Sequence, residues 1–144
     1  SQLYHCDHAD TRQVKIFVYL TDTDASHGPL TVIPARESAR LRAVVGYRWK
    51  QRVKDEELLP LLKEKEVAFT GKAGTTAMVD TCANFHYGSR VSAPTSRTVV
   101  VFQYLSQENF LMSPIPALRR YTYAHLVSSS HSPVQRAVLC GSAR

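Results

Sequence analysis

Cysteine is scarce in this chain of 144 residues. The three cysteines, Cys6, Cys82 and Cys140, are odd in number and widely spaced, and no two of them form a CxxC pair. Because a disulfide framework and a cysteine-ligated zinc site both need paired cysteines, this arrangement argues against both. We therefore expect reduced thiols.

Long apolar runs are also missing. No stretch approaches the roughly 20 apolar residues that a membrane-spanning helix needs, and the polar start Ser1–Tyr4 lacks the basic flank and apolar core of a secretion signal. The length suits one domain with one core. The sequence thus predicts a soluble, cytoplasmic or otherwise intracellular protein with a single domain over residues 1–144 and no membrane span.

The net charge of +6 would suit a nucleic-acid partner if the basic residues formed a cluster. Much of the excess lies in residues 36–65, where acidic residues are mixed in, a pattern typical of a solvated helical face. We therefore predict no nucleic-acid partner. The alternative, a basic nucleic-acid-binding domain, predicts a steep salt dependence of binding to DNA or RNA.

Short segments rich in β-branched and aromatic residues predict strands along most of the chain. The last of them also has the composition of a buried strand. Residues 36–65 instead show helical spacing with a break near Pro60, and residues 113–144 carry no clear pattern and are expected to form a loosely ordered tail. This order indicates a mainly β barrel or sandwich with a helical insertion. The predicted strands are 13–20, 30–33, 66–70, 76–80, 84–87 and 97–105.

The segment His5-Cys6-Asp7 is the first candidate for chemistry. Because side chains alternate along a strand, His5 and Asp7 point to one side and Cys6 to the other. His86 on a distant strand would complete a set of two histidines and one carboxylate, which leaves metal positions open and is typical of non-haem Fe(II) oxygenases. Each residue alone would more often be structural, as a hydrogen-bonded histidine or a turn-capping aspartate.

Four motifs in order resemble the phytanoyl-CoA dioxygenase-like family of Fe(II)- and 2-oxoglutarate-dependent oxygenases. The resemblance spans about residues 2–105 and implies a double-stranded β-helix, a jelly-roll or cupin-like barrel of two antiparallel sheets with the iron at its mouth. The motifs are His5-Cys6-Asp7, Tyr19-Leu20-Thr21-Asp22, the segment GPLTVIP at 28–34, and His86 followed by Arg97.

The resemblance also implies a function. His5, Asp7 and His86 would hold Fe(II), and Arg97 would clamp the distal carboxylate of 2-oxoglutarate through two parallel hydrogen bonds. Such an enzyme hydroxylates or otherwise oxidises a small or lipid-like substrate while 2-oxoglutarate and O2 become succinate and CO2. Asp7 favours hydroxylation, because related halogenases carry a small residue in its place.

Lys15 is a further candidate for cofactor binding. It shares a strand face with Phe17 and Tyr19, opposite Val14 and Ile16. If that face points into the barrel, the buried ammonium needs an anionic partner, for which 2-oxoglutarate is the candidate. If it does not, Lys15 extends to the rim.

Members of this family carry a longer region before the first histidine, so the resemblance implies an N-terminally incomplete domain. We then expect an open sheet edge and an exposed apolar face, covered by a second copy in a homo-oligomer or by the missing N-terminal segment. A non-catalytic cupin-type barrel, metal-binding or structural, is the alternative function. The substrate is not indicated, because the residues that select it lie on loops.

Overall fold

The computed structural model describes residues 1–92, 94–105 and 124–140. The chain divides into two units, Ser1–Leu111 and Met112–Arg144. The strands of the first unit lie at the six predicted positions, and β1 and β4 come closest to their predicted bounds. They are β1 (Gln13–Tyr19), β2 (Thr31–Val32), β3 (Val67–Ala68), β4 (Thr76–Asp80), β5 (His86–Tyr87) and β6 (Val99–Leu105).

The strands form two three-stranded antiparallel sheets, in the orders β4-β1-β6 and β3-β2-β5. In the first sheet Phe17 lies opposite Ala77 on one side and Val101 on the other. Residues that lie opposite each other share a face, so Phe17, Ala77 and Val101 lie on one face of the sheet, its inner face. It packs on the second sheet in a core formed by Leu30, Val32, Ala77 and Val79, with Phe17 and Phe69 against it.

A second core lies under the helical segment. Helix α1 (Ala35–Val44) follows Pro34, and helix α2 (Asp55–Leu58) continues into a 3-10 turn at Leu59–Leu61. Between α1 and α2 the chain makes two turns, and Val53 then pairs with Tyr4 through two backbone hydrogen bonds of 2.9 and 3.1 Å. The buried side chains of this core are Tyr4, Cys6, Ile33, Leu41, Val53, Leu58 and Phe85.

The predicted barrel is not found as a closed structure in the described residues. The two sheets share no hydrogen-bonded strand pair there, and β6 is an edge strand that pairs with β1. The prediction that β6 is buried is wrong, because its side chains are exposed on both faces of the strand. Its side chains at Val100, Val101, Phe102, Tyr104 and Leu105 are between 37% and 50% exposed.

The second unit contains a 3-10 turn at Ala124–Leu126 and helix α3 (Pro133–Cys140). Helix α3 has no counterpart among the predicted elements. The loosely ordered tail predicted for residues 113–144 falls partly outside the described residues, at 113–123 and 141–144. None of the described helices is long and apolar enough to cross a membrane.

Candidate metal centre

Two histidines far apart in sequence are direct neighbours in the backbone pairing. His5 and His86 exchange both backbone hydrogen bonds, at 3.1 and 3.0 Å, in an antiparallel bridge. Their ring centroids are 4.2 Å apart, and both side chains are buried. The His86 strand therefore lies between Val32 of β2 and His5, so that both of its edges are paired.

Both imidazoles are held in the orientation that a metal ligand needs. His5 Nδ1 is 2.9 Å from the Leu3 carbonyl oxygen, and His86 Nδ1 is 3.0 Å from that of Asn84. Because a carbonyl oxygen can only accept, each Nδ1 carries the proton and each Nε2 keeps its lone pair for a metal. Burial, with the charge of the His86 ring second, lowers the pKa of His5 to about 4, and burial also lowers the pKa of His86. Both rings are thus neutral at pH 7.

Asp7 completes the group. One of its oxygens, Oδ1, lies 3.7 Å from His5 Nε2, and the other, Oδ2, lies 3.8 Å from His86 Nε2. One ligand atom from each of the three residues lies within 4.8 Å of the other two. Neighbouring ligands of an ion with bonds of about 2.0–2.2 Å are roughly 3 Å apart. Side-chain rotations that move the ligand atoms by roughly 1 to 2 Å would therefore bring them to bonding distance of one ion. The structure therefore brings the three predicted ligands together.

Cys6 lies between the two ligands in sequence but points into the core under the helices. Burial, the largest cause, raises the pKa of its thiol to about 12. The phenol oxygen of Tyr47 accepts a hydrogen bond from the Cys6 backbone N–H at 3.0 Å. As predicted from strand alternation, Cys6 faces away from the metal group, and its thiol remains protonated.

The carboxylate of Asp7 is bonded to neighbouring polar groups. Lys15 Nζ lies 2.7 Å and Gln13 Nε2 2.5 Å from Asp7 Oδ2. Burial by itself raises the pKa of Asp7, but the hydrogen bonds from Lys15 and Thr81 outweigh it and hold the pKa below its usual value. Asp7 is therefore an anion at neutral pH.

A cavity of about 240 Å³ opens beside the three residues, between the two sheets. It is smaller than pockets for drug-sized ligands, which measure about 300–1,000 Å³, and so suits a small molecule. Its lining residues are Ser1, His5, Asp7, Lys15, Phe17, Leu30, His86, Tyr87, Gly88, Ser89, Arg97, Val99 and Val101.

Arg97 is partly buried in this cavity, with its guanidinium 5.5 Å from the Tyr19 ring centroid. Within the part of the chain that the structure describes, no carboxylate forms an ion pair with it. Arg90 differs, because it donates two hydrogen bonds of 2.7 and 2.8 Å to Asp55 and stacks 3.5 Å from the Tyr87 ring centroid. Among the described residues that line the cavity, Arg97 is thus a cation without a carboxylate partner.

From the turn residues Gly88 and Pro94, the strand that follows Arg97 is expected to lie beside the His86 strand. The structure places it elsewhere. It pairs with β1 over seven residues, whereas β5 belongs to the other sheet. The physical reason is that both edges of β5 are already paired, by Val32 and His5. Arg97 reaches the cavity from the opposite sheet.

Lys15 lies on the inward face of β1, with Phe17 and the buried Tyr19. Its side chain is 20% exposed and pairs with Asp7. The sequence left open whether this face points inward, and the structure shows that it does. The role of Lys15 toward 2-oxoglutarate stays a prediction.

Gln13, which contacts Asp7, and Thr81, which contacts Gln13, were not predicted as site residues. For Gln13 a signal existed in the sequence, because position 13 has the same alternation as positions 15, 17 and 19, whose side chains share one face. A wider surface depression of about 580 Å³ is lined by none of the candidate ligands but by Gln2, Leu3, Lys54, Asp55, Glu56 and Arg90. Within this depression Arg90 and Asp55 already neutralise each other as an ion pair.

No protein-family model matches this chain, and no curated protein matches it. The assignment to the phytanoyl-CoA dioxygenase-like family therefore stays a prediction from the sequence motifs.

Proposed function

We propose that this protein is an Fe(II)- and 2-oxoglutarate-dependent dioxygenase that hydroxylates or otherwise oxidises a small or lipid-like organic substrate. The observation that carries the proposal is the convergence of His5, Asp7 and His86 beside Arg97 in one cavity. In this proposal the two antiparallel sheets are the facing halves of a double-stranded β-helix.

The donor set fits the proposed metal. Two neutral imidazoles and one carboxylate match the ligands of non-haem Fe(II) oxygenases, and three side-chain ligands leave coordination positions open. Both imidazoles are fixed by hydrogen bonds to backbone carbonyls, as is usual for metal-binding histidines. When bound, Fe(II) with 2-oxoglutarate and O2 supplies the oxidising power, and 2-oxoglutarate becomes succinate and CO2.

The remaining cavity residues bind and orient the small molecules. Arg97 clamps the distal carboxylate of 2-oxoglutarate, since its planar fork matches a carboxylate with two parallel hydrogen bonds. Lys15 adds a second positive charge beside Asp7. Phe17, Val99 and Val101 form an apolar wall that limits water around the bound cofactor. The Asp7 carboxylate occupies the position that related halogenases leave to halide, which favours hydroxylation.

Anaerobic titration with Fe(II) and 2-oxoglutarate tests the proposal. We expect a weak visible charge-transfer band when both are present, and its loss in His5→Ala and Asp7→Ala. His27→Ala is the matched control, because His27 also contacts an aspartate, Asp24, at 2.8 Å but lies outside the metal group. This control keeps the band.

The outcomes separate the two candidate functions. A chain that binds divalent metal at His5, Asp7 and His86 but shows no band and no affinity for 2-oxoglutarate supports the non-catalytic cupin-type alternative. A chain that binds no divalent metal contradicts the dioxygenase proposal at its first step.

A further inference from the structure

One oxygen of Asp7 is held by donors from the first sheet. Gln13 Nε2 and Lys15 Nζ contact Oδ2 at 2.5 and 2.7 Å, whereas Oδ1 is directed toward His5 Nε2 at 3.7 Å. Oδ2 also lies 3.8 Å from His86 Nε2, so each oxygen of Asp7 faces one imidazole. Because Gln13 and Lys15 already occupy Oδ2, Oδ1 is the carboxylate oxygen with lone pairs left for a metal.

Gln13 has the more unusual environment of the two donors to Oδ2. It is 2% exposed, on the inner face of β1, where an apolar side chain would pack without a desolvation penalty. Its Nε2 also lies 2.5 Å from Thr81 Oγ1, and Thr81 is fully buried. The two N–H bonds of the amide are therefore directed at Asp7 and at Thr81.

The orientation of the Gln13 amide is set by a residue on the neighbouring strand β6. Gln103 on β6 donates from Nε2 to Gln13 Oε1 at 3.2 Å. Since Oε1 is the acceptor in that bond, Nε2 must face Asp7. Every polar group of the Gln13 side chain is thus used, and the chain of contacts runs from Gln103 through Gln13 to Asp7.

We propose that Gln13 is a positioning residue of the metal site, which holds Asp7 Oδ2 together with Lys15 and so presents Oδ1 alone to the ion. The inference rests on the proposed function, because it requires that Asp7 is a ligand. Binding through one oxygen keeps a coordination position that a two-oxygen carboxylate would occupy. That position then serves 2-oxoglutarate or O2.

Co(II) is the probe for this inference, because its visible spectrum reports the number and arrangement of its ligands. In Gln13→Leu, a substitution of similar volume, we expect Co(II) affinity in calorimetry to fall about 10- to 100-fold, as is typical when a residue that supports a metal ligand is lost. We also expect the intensity of the visible bands to change, because Asp7 is free to rotate. Circular dichroism checks that the variant is folded.

Two further variants separate positioning from folding. Gln51→Leu makes the same change where the side chain accepts a hydrogen bond from the Arg48 backbone N–H, so affinity and spectrum stay as in the wild type. Thr81→Val keeps the volume at position 81 but removes the hydroxyl that accepts a hydrogen bond from Gln13 Nε2. It tests the same inference if Gln13→Leu does not fold, and we expect weaker Co(II) binding with the same spectral change.

The failure of this inference is distinguishable from that of the proposed function. A wild-type chain that binds no Co(II) overturns the metal site itself. If the wild type binds Co(II) and a folded Gln13→Leu or Thr81→Val variant has the same affinity and spectrum, the metal site stands and the positioning role of Gln13 is overturned.

Discussion

Lys15 and Arg97 bring two positive charges into one cavity, and among the described residues a carboxylate pairs with Lys15 but not with Arg97. Lys15 pairs with Asp7 at 2.7 Å, whereas Arg97 contacts the face of Tyr19 and is in none of the ion pairs of the described residues. Since a partly buried cation without a counter-ion is costly, Arg97 is the better anchor for the distal carboxylate of 2-oxoglutarate.

Replacing Arg97 by Ala is expected to weaken 2-oxoglutarate binding about 10- to 100-fold, because a hydrogen bond to a charged group contributes about 1.5–3 kcal/mol. Metal affinity should stay unchanged. Arg97→Lys keeps the charge but loses the two parallel bonds, so we expect partial recovery. Anaerobic calorimetry of 2-oxoglutarate into metal-loaded protein measures both. Arg36→Ala, an exposed arginine on α1, is the control, and unchanged affinity in Arg97→Ala contradicts the assignment.

Glu37 is a buried carboxylate outside the site that ties α1 to the segment after α2. It is 3% exposed, accepts two hydrogen bonds from Arg40, and accepts one of 2.7 Å from the backbone N–H of Lys63. The bond from Arg40 first and that from Lys63 second lower the pKa of Glu37 to about 2. Its folded-state pKa is thus well below the unfolded value.

Glu37→Gln is therefore expected to make stability less dependent on pH in the acid range. A carboxylate with a lowered pKa stabilises the fold fully above its unfolded pKa, near 4.5, and that contribution is lost as pH falls toward 2. The wild type should be more stable than Glu37→Gln at pH 7, and the two unfolding curves should converge near pH 2. Urea denaturation at a series of pH values measures this, and a constant difference across the range would contradict it.

At the scale of single elements, local composition predicts strands well where the chain is β-branched and bounded by turns. Strand β4 occupies the predicted residues Thr76–Asp80, and β1 ends one residue before its predicted limit. Helix α3 was missed although a local signal exists. Ser132 and Gln135 bond reciprocally, at 2.7 and 3.2 Å, as a capping box with Pro133 in the first turn.

Strand pairing was less predictable, because the partner of a strand is chosen by residues far away in sequence. The composition of β6 correctly indicates a strand, yet apolar composition cannot tell an edge strand from a central one. The same limit explains why the Arg97 strand was assigned to the wrong neighbour. The turn after Gly88 does not determine which of the two sheets receives it.

The loop before β2 provides a test of backbone constraint. Gly28 has φ +62°, and a Cβ at this position would lie 2.7 to 2.9 Å from backbone atoms of Arg90 and Val91. Gly46 has φ +58°, but nothing lies within 4 Å of its Cβ position. Both glycines have a positive φ, but of the two only Gly28 has other atoms close to its Cβ position.

Gly46→Ala is expected to cost about 1–2 kcal/mol of unfolding free energy, the typical penalty for a left-handed alanine. Gly28→Ala should cost more, because backbone atoms at the clash cannot rotate away as a side chain can. Chemical denaturation of both variants compares the two costs. Equal destabilisation of the two variants would contradict this prediction and would show that the backbone at Arg90 and Val91 can move away from the added Cβ atom.

At the scale of the whole molecule, the candidate metal ligands could be predicted from the sequence, but the residues that hold them in place could not. His5, Asp7 and His86 stand out because their residue types and order are specific. Gln13 and Thr81 are common polar residues whose relation to Asp7 exists only once β1 and β4 are in register. The closed barrel was inferred from the resemblance, and pairing between sheets is not a local property.

The outer face of the first sheet carries apolar side chains that the described residues leave exposed. Ile16 on β1 lies opposite Met78 on one side and Phe102 on the other, and the latter two are 71% and 50% exposed. Val14, Val100 and Tyr104 extend the same face. Contiguous apolar patches on a sheet with an open edge favour association with another chain.

We expect this chain to self-associate through that face in a concentration-dependent manner. Met78→Lys and Phe102→Lys place a charge at its centre, and burying an unpaired ammonium against a partner is costly, so both variants should remain monomeric at concentrations where the wild type associates. Val67→Lys places the same charge on the other sheet, at a valine that is 48% exposed, close to the 50% of Phe102, and this variant should associate like the wild type. Sedimentation equilibrium over a range of concentrations distinguishes these results. A wild type that is monomeric throughout the range, or a Val67→Lys variant that dissociates as Met78→Lys does, would contradict association through the outer face.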